Sequence, residues 1–341
     1  MYYRRCEHYD DKSGRCYNHD FKPASWRYRK NSGGLLRICA KAQAYPSESF
    51  EYIALRSAYH LQSAHDFYLR SIGEPLPKMV LQVMPYFQTI FQDTYSFRYD
   101  NIIYYPHRKS LVILPRRPQS ENLWDSPYVM AHEFAHHAQF ALLAPHDDRI
   151  ALRRYAAKSL PRRKQASLEA FYEGWADVYA FYATGENPSL ITSYSCFGYN
   201  RDISNSHFHD QTFKHLTAAH LENFYHYQNP VVGSCSTPDF TDPHTVGAVL
   251  AHYLYKITNY VLAATHGELA AEQKYRHLQR WLRGAPTIDV SDDPLSDMIR
   301  HVYQVIHQHI VASERRDILP AVCAMFELGF PSANSCQMAV L

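Results

Sequence analysis

The stretch Val129-Met130-Ala131-His132-Glu133-Phe134-Ala135-His136-His137-Ala138-Gln139-Phe140 places two histidines four residues apart with a glutamate between them. As a helix, it stacks His132 and His136 one turn apart on a single face. Two imidazoles at that spacing reach one tetrahedral cation together, and Zn²⁺ is the usual occupant. Glu133 then stands beside the ion rather than on it, where a general base for an attacking water belongs. Ser126 as N-cap, Pro127 at the first helical position and the absence of a breaker from Tyr128 to Leu143 predict the helix itself.

The chain carries 21 His among 341 residues, and a chance match to this pattern arises in roughly one such chain in twenty. The motif therefore needs company, since a helix with histidines on a solvated face would look the same. Glu169-Ala-Phe-Tyr-Glu173-Gly174-Trp175-Ala176-Asp177 provides it. A catalytic zinc needs a third protein ligand and an open position for water. Glu173 suits the ligand role, with Asp177 one turn later to accept the outward N–H of a ligand histidine. Glu169 keeps the same spacing to Glu173 and leaves a shifted register open, but only Glu173 places an Asp in that supporting position.

Further on, Thr241-Asp242-Pro243-His244-Thr245-Val246-Gly247 reads as a loop delivering one histidine to the start of an apolar helix. A hydrogen-bond donor aimed at a developing oxyanion is the remaining part that hydrolysis requires.

In this order the three stretches resemble the gluzincin metallopeptidases, the thermolysin-like and fungalysin-like clan. The match covers His-Glu-x-x-His, Glu-x-x-x-Asp and Asp-x-His-x-x-Gly, and departs from many relatives at Val246, where Asn is frequent. The resemblance implies an α+β, bilobal zincin-like architecture: a mixed sheet lobe with the active-site helix, and a mainly helical C-terminal lobe. It implies His132, His136 and Glu173 as ligands of one catalytic Zn²⁺. Glu133 would be the general base, His244 the oxyanion donor and Asp177 the partner orienting a ligand histidine. The expected activity is peptide-bond hydrolysis by an endopeptidase acting on a peptide or protein substrate. An aminopeptidase of the same clan, a zinc-holding but inactive peptide-recognition protein, and a metal-free helical binding protein are the rival readings. The chain has no Gly-x-Met-Glu-Asn stretch of the aminopeptidase kind, and neither the base nor any ligand is missing.

The corresponding domain division is an N-terminal Cys/His-containing extension at 1–33, a sheet lobe at 34–144 and a mainly helical lobe at 145–341. Lys+Arg 35 against Asp+Glu 33 gives a formal +2, which argues for neither a nucleic-acid partner nor an acidic substrate. The 28 Tyr suit a wet groove that grips extended peptide. No apolar run approaches the ~20 residues of a membrane span. Met1-Tyr-Tyr-Arg-Arg-Cys-Glu-His lacks the apolar core of a secretory signal, so the expected location is cytoplasmic, while the resemblance keeps an extracellular one open.

Seven cysteines leave at least one unpaired. Cys6-x-His8 and Cys16-x-x-His19 offer a second metal constellation, a Cys6–Cys16 disulfide, or simply surface residues. Gly34 to Lys41 alternates as a strand, and Ser47 can cap a helix from Phe50 that stops at Gly73. Its His60 and His65 are expected to be structural. Met79 to Met84, Ile102 to Tyr105 and Leu111 to Leu114 are strand candidates, with Pro106-His-Arg-Lys as the turn of a hairpin. The resemblance makes Leu111-Val-Ile-Leu114 an exposed edge that binds substrate by strand addition, against the alternative of an ordinary buried strand. The basic connection between Leu143 and Ser167 reads as a solvated face. Residues 185–242, with His207, His209, His215, His220 and His226, read as a rim of the cleft. Val246 to Ala264, Gly267 to Leu282, Asp297 to Val311 and Arg315 to Leu328 carry helical spacing.

Overall fold

Apolar spacing becomes helix wherever the chain offers both a long amphipathic run and a stop. The computed structural model describes the backbone of the elements named below. It describes side chains at 52–83 except 82, 102–105, 109–113, 123–142, 166–185, 203–204, 243–285 and 295–327.

Strands β1 (Tyr2–Asp10) and β2 (Arg15–Pro23) form an antiparallel hairpin, and β3 (Arg27–Lys30) pairs with β4 (Leu36–Cys39). In the first hairpin Cys6 pairs with His19 and Cys16 with Tyr9. The two cysteines thus stand three rungs apart, about 10 Å at ~3.4 Å per residue. In this backbone register the two Cα atoms stand farther apart than disulfide-linked ones usually do.

Helix α1 (Phe50–Ser71) buries Ile53, Leu61, Phe67 and Tyr68, and ends before Gly73, whose φ of 79° only glycine adopts cheaply. Ser47 lies outside the described residues. After α1, β5 (Val80–Val83) runs parallel to β9 (Ser110–Leu114). Between them lie the β6 (Phe87–Phe91)–β7 (Thr94–Arg98) hairpin and β8 (Asn101–Tyr105), which pairs antiparallel with β9. The β8–β9 hairpin forms as the sequence predicts.

The edge assignment of Leu111-Val-Ile-Leu114 does not hold. The strand order is β5-β9-β8, so β9 is central, with Leu111, Val112 and Ile113 all buried. An uninterrupted apolar run suits a strand covered on both faces and paired on both sides. Among the described strands of this sheet, β8 is the edge facing the helix that carries His132 and His136.

That helix is α2 (Pro127–Leu143), and the Ser126 hydroxyl caps it by accepting from the Val129 N–H at 3.3 Å. Then follow α3 (Arg162–Thr184), α4 (Pro243–His266), α5 (Ala271–Leu282), α6 (Pro294–Ala312), and a 3-10 turn at Arg316–Ile318 leading into α7 (Leu319–Gly329). The described part is thus mostly helical with a small mixed sheet, compatible with α+β. The boundary expected at 144/145 and residues 144–161 of the basic connection fall outside the described residues, and the rest of that connection, from Arg162, begins the helix that follows.

One apolar core joins these elements. Phe67 of α1 packs edge-on against Tyr179 of α3 at 5.5 Å and tilts against Tyr275 of α5 at 5.8 Å. The Tyr179 hydroxyl donates to the Ala64 carbonyl at 2.6 Å, giving a buried phenol the partner it needs. No described helix is long and apolar enough to cross a membrane.

Candidate metal centre

Helix periodicity sets the first two residues. His132 and His136 lie one turn apart on α2, their rings 4.8 Å apart and nearly perpendicular, with Nε2 atoms 3.2 Å from each other. Helix α3 crosses this face and brings in Glu173. Its Oε2 lies 3.1 Å from His132 Nε2 and its Oε1 3.4 Å from His136 Nε2. All three side chains are buried. Ligands 2.0–2.1 Å from a tetrahedral zinc stand about 3.3–3.4 Å from one another. The spacing here is that of three corners of such a tetrahedron.

The groups behind the ligands decide which nitrogen is free. Asp177 Oδ1 accepts from His132 Nδ1 at 2.8 Å. Gln139 donates its amide N–H to the Tyr172 carbonyl at 3.2 Å, which leaves its Oε1 to accept from His136 Nδ1 at 3.1 Å. Both rings therefore keep a proton on Nδ1 and turn Nε2 inward. A neutral ring offers a cation its Nε2 lone pair there, and a protonated ring donates to the Glu173 carboxylate instead.

Burial opposes ionisation of Glu173, but positive charge at His244 and His136 outweighs it. Hydrogen bonding to His132 and His136 acts the same way, and the carboxyl sits well below the usual carboxylate range.

Glu133, next to His132 in sequence, is turned toward the sheet, where its Oε2 accepts from the Tyr104 N–H of β8 at 3.1 Å. His244 is in the first turn of α4, at the start of the apolar helix where the sequence placed it. Its Nε2 is 3.5 Å from Glu173 Oε2, and its side chain is 44% exposed, so it lines the open side of the site. All six residues singled out in the sequence thus lie on or directly beside one site. Glu169, a turn before Glu173, is only half-buried and lies outside the ligand group.

Sequence reasoning missed three features. Gln139, one turn after His136, could have been found from its i+3 spacing. Gly174 and Gly247 could not. A β-carbon on Gly174 would stand 2.5 Å from the Gly247 carbonyl oxygen. Helices α3 and α4 meet backbone to backbone there, which carries His244 up to Glu173.

His137 is not a ligand: its ring accepts from the Tyr104 hydroxyl at 2.8 Å and donates to the Pro77 carbonyl at 2.9 Å. Burial lowers its pKa to about 4, so it stays neutral. His60 contacts Asp125 at 3.3 Å and His65 lies edge-on to Phe134 at 6.0 Å, both away from the site. Apart from residues 185 and 203–204, the expected rim at 185–242, with its five histidines, lies outside the described residues.

Compared with family models, curated proteins and solved structures, the chain matches none.

Proposed function

We propose that the chain is a zinc-dependent metallopeptidase of zincin-like, bilobal build, cleaving peptide or protein substrates as an endopeptidase. The single observation that carries this reading is the convergence of His132 Nε2, His136 Nε2 and the Glu173 carboxylate, with both Nδ1 protons already committed elsewhere. That donor set of two imidazoles and one carboxylate fits catalytic Zn²⁺.

When bound, zinc supplies Lewis acidity, making a water a stronger acid and a carbonyl a better electrophile. The protein's own residues do the rest. Glu133 receives the proton of the attacking water on its carboxylate and passes it to the leaving amine. The Tyr104 N–H holds that carboxylate in position from the strand β8. An extended peptide adding to β8 would present its carbonyls beside Glu133. His244, on the open side, donates from Nε2 to the developing oxyanion. Asp177 and Gln139 keep both ligand rings oriented throughout. No covalent intermediate is needed, so no nucleophilic Ser or Cys is invoked. Cys323 is disulfide-bonded, which suits an oxidising compartment and favours the extracellular alternative.

The test is a peptide-library digest with and without a zinc chelator, alongside metal analysis of the purified chain. Cleavage abolished by chelation and restored by Zn²⁺ is expected. Bound zinc without cleavage would point to the inactive recognition protein. A chain that holds no zinc at this site would end the hydrolase assignment.

A further inference from the structure

At the opposite end of α4 from His244, three helices bring three more histidines together. His266 is the last residue of α4, His277 lies within α5 and His309 in the last turn of α6. One ring nitrogen of each lies within 4.8 Å of the other two. The ring centroids are 4.9 Å apart for His266 and His277, 5.3 Å for His266 and His309, and 5.6 Å for His277 and His309. His244 and His266 are separated by 22 residues of one helix (266 − 244), about 33 Å at ~1.5 Å per residue. This cluster is therefore not part of the candidate metal centre.

The surroundings give it a built floor and an open top. Trp281, itself buried, packs its ring at 6.2 Å from His277 and 5.4 Å from His309. The Thr265 hydroxyl donates to the Val261 carbonyl at 2.9 Å and turns its oxygen to His309 Nε2 at 3.4 Å. His266 is exposed, while His277 and His309 are half-buried. Two helices, α4 and α6, point their C-terminal ends at the group, and the partial negative charge there favours a cation. The bland alternative is a stack of surface imidazoles. It does not account for three rings arriving from three separate helices with a nitrogen of each within 4.8 Å of the other two.

We propose that His266, His277 and His309 form a second, surface-facing site for a divalent transition-metal ion. Three imidazoles suit Zn²⁺, Ni²⁺, Co²⁺ or Cu²⁺ and not Ca²⁺ or Mg²⁺, which need oxygen ligands. On binding, the ring nitrogens would draw in from their present spacing of up to 4.8 Å toward the ~3.3 Å of a tetrahedral set, with water completing the coordination. Filling the site would tie the ends of α4 and α6 to α5. That helix packs Tyr275 against Tyr179 of α3 at 5.0 Å, and the Trp175 indole N–H donates to the Tyr275 hydroxyl at 3.3 Å. The ion would thus act as a clamp on the helical half and take no part in hydrolysis.

Equilibrium dialysis of the full chain against Zn²⁺ and against Ni²⁺ tests this, with thermal unfolding read in parallel. His277→Ala/His309→Ala is expected to bind one ion fewer per chain than wild type and to lose the metal-induced rise in Tm. Any peptidase activity should remain within about twofold. His266→Ala removes an exposed ring without disturbing the floor, and is expected to lose the same ion, which separates a lost ligand from a lost fold. His136→Ala is expected to keep this ion while losing the one at the candidate centre. If the candidate centre binds nothing, wild type should still bind one ion and the double variant none. Equal stoichiometry in wild type, His266→Ala and the double variant would overturn the proposal.

Discussion

Gly247 of α4 lies so close to Glu173 of α3 that a β-carbon on it would stand 2.8 Å from the Glu173 Cβ. The same added carbon would meet the Gly174 nitrogen at 2.8 Å and the Ala170 carbonyl at 2.9 Å. None of these can move without moving a helix backbone. The distance between the third candidate ligand and His244 is thus set by two absent side chains.

Gly247→Ala is accordingly expected to push α4 off α3, costing about 1–3 kcal/mol of stability and weakening zinc binding together. Gly267→Ala serves as the control. Gly267 has a φ of 78° and nothing within 4 Å of an added β-carbon, so that variant should lose about 1 kcal/mol through backbone strain with zinc affinity intact. Denaturant unfolding and zinc titration of both variants check this. Unchanged zinc affinity in Gly247→Ala would show that the close approach does not shape the site.

Glu133→Gln should keep its zinc and lose turnover by about 10²–10⁴-fold, because the amide fills the same space without accepting a proton. Steady-state kinetics with metal analysis on the same sample decides the matter. Activity within tenfold of wild type would remove Glu133 from the role of base.

His244→Ala should hold zinc and be slow rather than dead, by about 10²–10³ in kcat. His136→Ala should lose zinc and activity together. An unchanged kcat in His244→Ala would mean that its ring, 3.5 Å from Glu173, does no more than accompany the carboxylate.

Asp177→Asn and Gln139→Ala act one layer back from the ligands. Each should weaken zinc binding by about 10–100-fold, the first by removing the negative charge behind His132 and the second by removing the acceptor of the His136 Nδ1 proton. Competition with a chromogenic chelator measures this. Equal affinity for wild type and both variants would leave the two residues with a packing role only.

Stability should fall in acid partly through His60. Burial holds its pKa below 6.5, only partly offset by its hydrogen bond to Asp125. A folded-state pKa below the unfolded value means the unfolded chain takes up the proton first. Stability is therefore present above about pH 6.5 and lost as pH falls below it. Urea unfolding from pH 7.5 to 5 should show a shallower decline in His60→Gln than in wild type. Parallel curves would exclude His60 as a contributor.

Much of the candidate site was legible because its spacing is local. His132, Glu133 and His136 lie within two turns of one helix, and Glu173 and Asp177 one turn apart on another, so 3.6-residue periodicity alone orders them. The Ser126 cap, the stop at Gly73 and the β8–β9 hairpin were legible for the same reason. The position of β9 was not, because Leu111-Val-Ile-Leu114 looks alike at the centre and at the edge of a sheet. Its place depends on β5, about thirty residues earlier in the chain. The cluster of His266, His277 and His309 was equally hidden, since those residues follow no recognisable spacing and meet only through helix packing.

By itself, then, the sequence determined which side chains share a helix face, and so which pairs could serve one ion. Only the tertiary structure decided that the α2 and α3 pairs face each other, that His244 arrives beside them, and that β8 rather than β9 is the edge next to Glu133. The physical reason is that helix faces follow from neighbours in the chain. Crossings between helices depend on contacts such as Gly174 against Gly247, 73 residues apart (247 − 174).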